Sequence, residues 1–232
     1  MAHRMRKVAG PGIGLYALSM SFAAFDWGMS LEPHWFSTIY GVVFIIGQGV
    51  ATLSFSIIAA TWLSDRQPFA RWVDAGHFHD LGKLLFAFVM LWAYVNFSQF
   101  LIVWSGNLAE ETPWYLHRIH GGWRELALFL IVFHFALPFA FLLSAKIKRN
   151  PRSLVVIAFL LIFLRWVDLL WWIVPAFHPG RFHLHWLDVS TTVAMGGVWF
   201  CVFVQQAKGR PLISLQDARL EGLIDAPAEA TS

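Results

Sequence analysis

The chain has 232 residues, of which 58% are hydrophobic, 17% aromatic and only 13% charged, whereas a soluble globular domain carries about 25% charged residues. Its mean hydropathy is +0.59, and 13 Trp and 22 Phe are far above ordinary usage. A single cysteine, Cys201, excludes an internal disulfide, a CxxC or CxxCH motif and a cysteine-ligated iron–sulfur cluster within this chain. We therefore expect an integral membrane protein.

Six apolar stretches are long enough to cross about 30 Å of hydrocarbon at a rise of about 1.5 Å per residue. They lie at roughly 8–27, 37–63, 81–104, 123–144, 153–175 and 186–206. The first stretch is the weakest, because it opens on "GPGIG" and such residues need neighbours that satisfy the backbone. We predict an all-α, polytopic membrane bundle of about six helices. Residues 1–210 would form a single transmembrane domain, and residues 211–232 a polar cytoplasmic tail.

The basic residues lie mostly on one side of this predicted bundle. With six spans, the termini and the second and fourth connections share a side that holds Arg4, Arg6, Lys7, Arg66, Arg71, Lys146, Lys148, Arg149, Arg152, Lys208, Arg210 and Arg219. The other side holds only Arg118, Arg124 and Arg181. The positive-inside rule then places both termini in the cytoplasm. Because these cations occupy short loops, the pI near 9.2 does not indicate a nucleic-acid partner.

The first connection, "DWGMSLEPHWFST", has two interpretations. The simpler one is a tight turn with Asp26, Glu32 and His34 at the outer interface, in which Ser37 and Thr38 offer caps for the second span. The other is functional: these three residues open a pathway to the outside or line a quinone headgroup site, with His34 and Trp35 as candidate contacts.

The third span carries a stripe of polar residues. At 100° per residue, one sector about 60° wide holds Asp80, Lys83, Tyr94, Ser98 and Ser105. The stripe leads toward the paired acids Glu110 and Glu111, with a gap of about 16 Å between Lys83 and Tyr94 that water or other helices would have to bridge. It is either one wall of a proton or water pathway, or a cytoplasmic anchor followed by interhelical hydrogen bonds.

Three ionisable residues fall near the middle of predicted spans. Arg165 and Asp168 are three residues apart, so they can meet on one helical face. Each costs about 2.5–3.5 kcal/mol at the bilayer centre on insertion scales, so such residues face the bundle interior. The pair either serves function or fixes helix register. His134 in the fourth span could relay protons, because the pKa of histidine is near physiological pH.

Haem and metal ions are weaker interpretations of the histidines. A transmembrane b-type haem normally uses two histidines at matching depth, and His134 has no such partner in the sequence. The outer group of His178, His183, His185 and Asp188 is more typical of an interface than of a metal site. We therefore expect neither haem nor a metal ion.

Three blocks of the sequence resemble a known family. They are "FAAFDWGMSLEPHWFSTIYGVVFIIGQ", "HDLGKLLFAFVMLWAYVNFSQFLIVWSGNLAEETPWYLHR" and "HFALPFAFLLSAKIKRN". They strongly resemble the ActF family, the second NrfD/PsrC-like membrane subunits of bacterial alternative complex III, which is a quinol:cytochrome c oxidoreductase. The resemblance extends to about Pro211 and corresponds to the C-terminal part of a longer family chain. We therefore expect a fragment, a split subunit or a shortened one.

The resemblance implies a subunit without redox centres in a respiratory complex of the bacterial inner membrane. Its partners would be a paralogous NrfD-like subunit, an iron–sulfur subunit and haem c subunits. It would hold no covalent or metal-ligated cofactor, and its candidate ligand is a quinone or quinol, menaquinone or ubiquinone. The positions that match the family blocks are Asp26, His34, His79, Asp80, Lys83, Tyr94, Ser98, Glu110, Glu111, Arg118 and Asp168.

The resulting hypothesis is a proton pathway. Protons would leave through Asp168, Tyr94 and Ser98 toward the outer acids, with Arg165 and His134 added from their position in the membrane. The alternative is a free-standing transporter or channel for protons or a small solute. Such transporters often contain inverted repeats, and this sequence has no evident repeat.

Overall fold

The computed structural model describes residues 2–65, 73–178 and 180–209. They form two compact units, residues 17–183 and residues 2–16 with 184–209. The prediction of one membrane domain over residues 1–210 stays a prediction. The predicted tail at 211–232 lies outside the described residues, as do four of the cations used for orientation, Arg66, Arg71, Arg210 and Arg219.

The described residues form helices and irregular connections, and no strand occurs among them. The helices are α1 (Ala2–Trp27), α2 (Tyr40–Leu63), α3 (Ala75–Gly106), α4 (Thr112–Ile119), α5 (Trp123–Leu130), α6 (Leu137–Leu143), α7 (Ala145–Arg149), α8 (Pro151–Ile173) and α9 (Trp186–Lys208). A π-helical segment, Ile131–Ala136, joins α5 to α6, and single 3₁₀ turns lie at Met29–Leu31 and Val174–Ala176.

Six stretches of the described chain are long and apolar enough to cross a membrane. They are Lys7–Leu31, Tyr40–Leu63, Ala75–Gly106, Trp123–Leu143, Pro151–Ala176 and Trp186–Lys208. The predicted all-α polytopic bundle with six spans is confirmed, and the chain is a multi-pass membrane protein.

Two helix starts differ from the prediction for local reasons. Helix α3 begins at Ala75 rather than near residue 81, because the Asp74 carboxylate accepts the backbone N–H of His77 and the His77 ring faces the Asp74 N–H. That hydrogen bonding lowers the pKa of Asp74. Helix α2 begins after Ile39, which makes no side-chain cap itself, but the Ser37 hydroxyl accepts the Ile39 N–H at 3.3 Å. The same hydroxyl donates to Gln99 Oε1 at 2.6 Å.

The fourth span is interrupted by the π-helical segment around His134. Leu137 N–H donates to the carbonyl of Val132, five residues earlier, as a π-turn requires. The next residue, Pro138, has no N–H for the His134 carbonyl, so the regular ladder cannot continue there. The wider turn changes the direction in which His134 points, and its side chain is fully buried.

Helix α2 packs against α8 and α3 in the centre of the unit formed by residues 17–183. Its fully buried Val50 and Ile57 meet a core that includes Leu161 of α8 and Val89 of α3. Gly49 allows close approach, because a Cβ there would collide with the Phe88 ring. This packing of small and large side chains brings the polar groups of α3 and α8 together.

Candidate functional site

A buried ion pair lies within α8. Arg165 Nη1 donates to Asp168 Oδ2, and both side chains are almost completely buried. The Arg165 guanidinium fits beside Gly47 of α2, where a Cβ would collide with it. Its Cζ also lies 5.6 Å from the centre of the Phe44 ring. The structure thus brings Arg165 and Asp168 together, as their spacing predicts, and adds a seat for the cation on α2.

Trp92 of α3 completes the surroundings of this carboxylate. Its indole Nε1 donates to Asp168 Oδ2 at 3.1 Å across 76 residues of sequence. The same carboxylate oxygen therefore accepts from both a guanidinium and an indole, and charge-assisted bonds of this kind are stronger than neutral ones. The sequence interpretation did not include Trp92, because a buried tryptophan in an apolar span does not differ from an ordinary core residue.

His134 lies against the ring of Trp92. The two rings stack with centroids 4.2 Å apart and an interplanar angle of 26°. Both ring nitrogens of His134 are buried without a hydrogen-bond partner in the described part of the chain. The Leu164 backbone approaches the ring, but without the geometry of a hydrogen bond. We call Trp92, His134, Arg165 and Asp168 the central polar cluster.

The cluster limits how a proton could move through it. Indole N–H is a donor only, so Trp92 cannot accept a proton from Asp168 and pass it to His134. A transfer between the carboxylate and the imidazole would therefore have to bypass the indole nitrogen, through water that bonds the unpartnered ring nitrogens of His134. Trp92 contacts both groups but cannot relay a proton between them.

Gly47→Ala tests the seat of Arg165. The added Cβ meets the guanidinium, so the helices or the ion pair must shift, and overpacking of this kind costs about 1–3 kcal/mol. We expect a lower thermal unfolding midpoint in detergent. Gly196→Ala in α9 is the control, because a Cβ there has no heavy atom within 4 Å among the described residues. A midpoint lowered equally in both variants would contradict the proposed seat.

A second polar centre surrounds Arg118 of α4, which is buried. Its guanidinium donates to Glu32 Oε1 at 2.9 Å and to the backbone carbonyls of Trp114 and Trp172 at 2.9 and 3.0 Å. It also lies over the Trp114 ring, 3.5 Å from the ring centre. Burial lowers the pKa of Arg118, and the Glu32 carboxylate opposes that effect. We call this group, which joins α4, the end of α8 and the connection after α1, the Arg118 clasp.

The clasp adjoins an aromatic cluster that contains Trp35. Trp35 stacks on Trp114 with ring centres 4.5 Å apart, and Tyr40 contacts Trp35 and Trp172 edge-on at 5.8 and 5.3 Å. The gap among them measures about 180 Å³ and is nowhere wide enough for a water molecule. His34 is exposed. A quinone ring could therefore contact Trp35 only if aromatic side chains moved.

The polar stripe of α3 faces away from the central polar cluster. Tyr94 is 68% exposed, Ser105 is exposed, and Asp80 and Lys83 form an exposed ion pair at 3.1 Å. Trp92 lies about 160° around the helix from Tyr94, so the two side chains leave opposite faces. The predicted pathway requires Asp168 to lie close to Tyr94 and Ser98. The structure does not bring these residues together.

Tyr94 and Ser98 instead line an open groove of about 390 Å³ between α2 and α3. Aliphatic side chains form the rest of its lining: Ile39, Val42, Val95, Leu101 and Ile102. Of the acids predicted near the outer end, Asp26 and Glu110 are exposed and Glu111 is partly buried at the start of α4. None of these acids contacts the central polar cluster within the described residues.

The histidines show different arrangements. His185 and Asp188 form a capping box at the start of α9. The rings of His178 and His183 lie 4.9 Å apart. In the described residues, no group of three or more His, Cys, Asp or Glu side chains is arranged to hold a metal ion.

Fold and site together define a class: an all-α, multi-pass membrane protein with a buried, internally neutralised cluster of polar side chains between α3, the π-helical segment and α8. Comparison of the chain with protein-family models and with curated proteins gives no match.

Proposed function

We propose that this chain is a membrane subunit without redox centres in a respiratory quinol:cytochrome c oxidoreductase of the alternative complex III type. Its place would be the bacterial inner membrane, beside a paralogous NrfD-like subunit, an iron–sulfur subunit and haem c subunits. The specific assignment is supported by the resemblance of the three sequence blocks. The central polar cluster supports the role of the subunit in moving protons.

The single observation that carries the proton role is the burial of Asp168 with Arg165 and Trp92. Charged groups inside a membrane protein are costly, so they are generally kept where a substrate, an ion or a proton uses them. Asp168 can exchange a proton while Arg165 remains charged, because guanidinium does not deprotonate in proteins. Oxidation of quinol elsewhere in the complex would change the local charge and drive this exchange.

The proposed proton route extends beyond the central polar cluster. His134 offers two unpartnered nitrogens on one side of Trp92, where water could connect it to Asp168. Tyr94 and Ser98 lie on the opposite face of α3, so they would join the pathway only through water or the helices of a partner subunit. Asp26, Glu110 and Glu111 would then receive protons at the predicted outer surface.

Direct contact with quinol is the other contribution that this subunit could make. The groove that contains Tyr94 and Ser98 favours this role more than Trp35 does, because it is open, mostly apolar and carries two hydroxyl groups. A quinone carbonyl could accept a hydrogen bond from either hydroxyl while its tail remains in the lipid. The proposed quinone contact is therefore at this groove, rather than at His34 and Trp35 as predicted from the sequence.

Copurification tests the assignment to a complex. The chain is tagged and expressed in its native membrane, extracted in mild detergent and isolated. We expect haem c absorbance and an iron–sulfur electron paramagnetic resonance signal to follow the tag in constant ratio. A chain that is isolated alone, and that moves a solute or protons in vesicles without quinol, would instead favour the free-standing transporter or channel.

A further inference from the structure

The connection between the fourth and fifth spans concentrates positive charge. Its nine residues, "SAKIKRNPR" from Ser144, contain Lys146, Lys148, Arg149 and Arg152. Helix α7 lies between two extended residues, Ser144 and Asn150, so the chain changes direction at both of its ends. Three of the cations are therefore held in a short helix between two membrane spans, and Arg152 lies in the first turn of α8, all on the predicted cytoplasmic side.

Lys148 is held in a fixed position within this connection. It is only 9% exposed. Its stem packs on Gly82 of α3, where a Cβ would lie 2.8 Å from Lys148 Cγ, and its ammonium lies 5.6 Å from the centre of the Phe86 ring. A cation that only sets membrane orientation through the positive-inside rule needs no fixed position within its loop. This lysine has in addition a fitted place on a helix distant in sequence.

The ammonium of Lys148 has no protein counter-anion among the described residues. It belongs to none of the ion pairs His77–Asp74, Lys83–Asp80, Arg118–Glu32, Arg124–Glu125 and Arg165–Asp168. The cation–π contact with Phe86 stabilises the ammonium only weakly and does not neutralise its charge. The stem of Lys148 is buried while its ammonium, which has no counter-anion within the described chain, stays accessible, so this position favours an anion from outside it.

Other donors surround the same place. Lys83, Lys148 and Arg149 lie close enough to His79 for their charges to act on its ring. Nδ1 of His79 is buried without a hydrogen-bond partner in the described part of the chain. Asp80 is already paired with Lys83 at 3.1 Å. The site thus combines excess positive charge with an unused ring nitrogen.

We propose that Lys148, Arg149 and His79 form a binding site for one phosphate group, supplied by the phosphodiester of an anionic phospholipid. Phosphate oxygens accept from ammonium, guanidinium and imidazole donors together. The site lies at the end of membrane spans, where headgroups are found, and basic pockets there bind anionic headgroups. A zwitterionic headgroup would bind more weakly, because its own cation meets the same positive field.

Native mass spectrometry of the full chain can test this proposal. The protein is purified in detergent and titrated with phosphatidylglycerol or phosphatidylcholine, and the fraction that retains one lipid is measured. We expect phosphatidylglycerol to be retained more tightly, by on the order of tenfold, and Lys148→Gln/Arg149→Gln to lose that preference. The matched control, Arg124→Gln/Arg181→Gln, removes two cations from the opposite predicted side and should keep it.

If Lys148→Gln impairs folding, two further variants still test the proposal. Arg149→Gln changes an exposed side chain and should lower retention by itself. Lys148→Arg keeps the charge and should preserve retention. Equal retention of both lipids by the wild type, or equal loss in the control pair, would overturn the proposal. Displacement of the lipid by millimolar inorganic phosphate would overturn the lipid as the source and identify a site for free phosphate.

Discussion

Asp168→Asn should lower the number of protons released per electron when the complex oxidises quinol. Asparagine keeps the shape of the side chain and can still accept from Trp92 and Arg165, but it cannot take up a proton. If protons pass through Asp168, the proton-to-electron ratio should fall clearly while electron transfer continues. The measurement is proton release by the assembled complex in vesicles, set against cytochrome reduction.

The substitution also leaves Arg165 buried without a counter-anion, which costs about 3–5 kcal/mol when one partner of a buried pair is removed. The double variant Arg165→Gln/Asp168→Asn removes both charges and therefore leaves no unpaired charge in the core. Both variants should therefore give the same lowered ratio, while the double variant assembles better. Normal proton release from an assembled double variant would show that the pair is structural.

Glu125→Gln is the matched acid-to-amide control. Glu125 is exposed, forms a loose ion pair with Arg124 at 3.6 Å and belongs to neither polar centre. Its replacement should leave the proton-to-electron ratio unchanged. His134→Gln adds a second position on the same route. A reduced ratio in this variant would place the imidazole on the path, and an unchanged ratio would confine the exchange to Asp168.

Arg118→Met should strongly destabilise the protein. The variant removes the donors to Glu32 and to the carbonyls of Trp114 and Trp172, and it leaves the Glu32 carboxylate without its ion-pair partner. Breaking a buried, hydrogen-bonded pair costs about 3–5 kcal/mol. We expect a clearly lower midpoint of thermal or denaturant unfolding in detergent, because three separate segments are no longer joined.

Arg124→Met is the matched control, since Arg124 is 64% exposed and exposed ion pairs contribute about 0–1 kcal/mol. Arg118→Lys should fall between the two, because lysine keeps the charge but cannot donate in several fixed directions. In a double-mutant cycle, Glu32→Gln and Arg118→Met should show coupling. Additive effects would mean that the carbonyl contacts, rather than the ion pair, account for the stability of the clasp.

The number of spans and the all-α class could be predicted because both depend on local properties. Each span is a long apolar run, and hydropathy summed over such a run depends little on the rest of the chain. The meeting of Arg165 and Asp168 is also local, since residues three apart share a helical face. Helix ends were less predictable: the Asp74–His77 capping box extends α3 beyond its apolar run.

The face of α3 that is buried could not be read from its polar pattern. The stripe with Tyr94 and Ser98 resembled an inner wall, yet the structure buries the opposite side, with Trp92 and Gln99. Gln99 is satisfied by Ser37 and Trp92 by Asp168, and both partners are distant in sequence. Angular position tells which residues share a face, but only the neighbouring helices determine which face is inside.

The sequence by itself therefore determined the class of this protein, its six spans and the Arg165–Asp168 pair, because hydropathy and helical spacing act within one segment. The tertiary structure decided which groups surround that pair. Trp92 reaches Asp168 across 76 residues, Arg118 reaches Glu32 across 86, and the π-turn before Pro138 brings His134 onto Trp92. These contacts depend on how α2, α3 and α8 approach one another, at glycines such as Gly47, and no single segment carries that information.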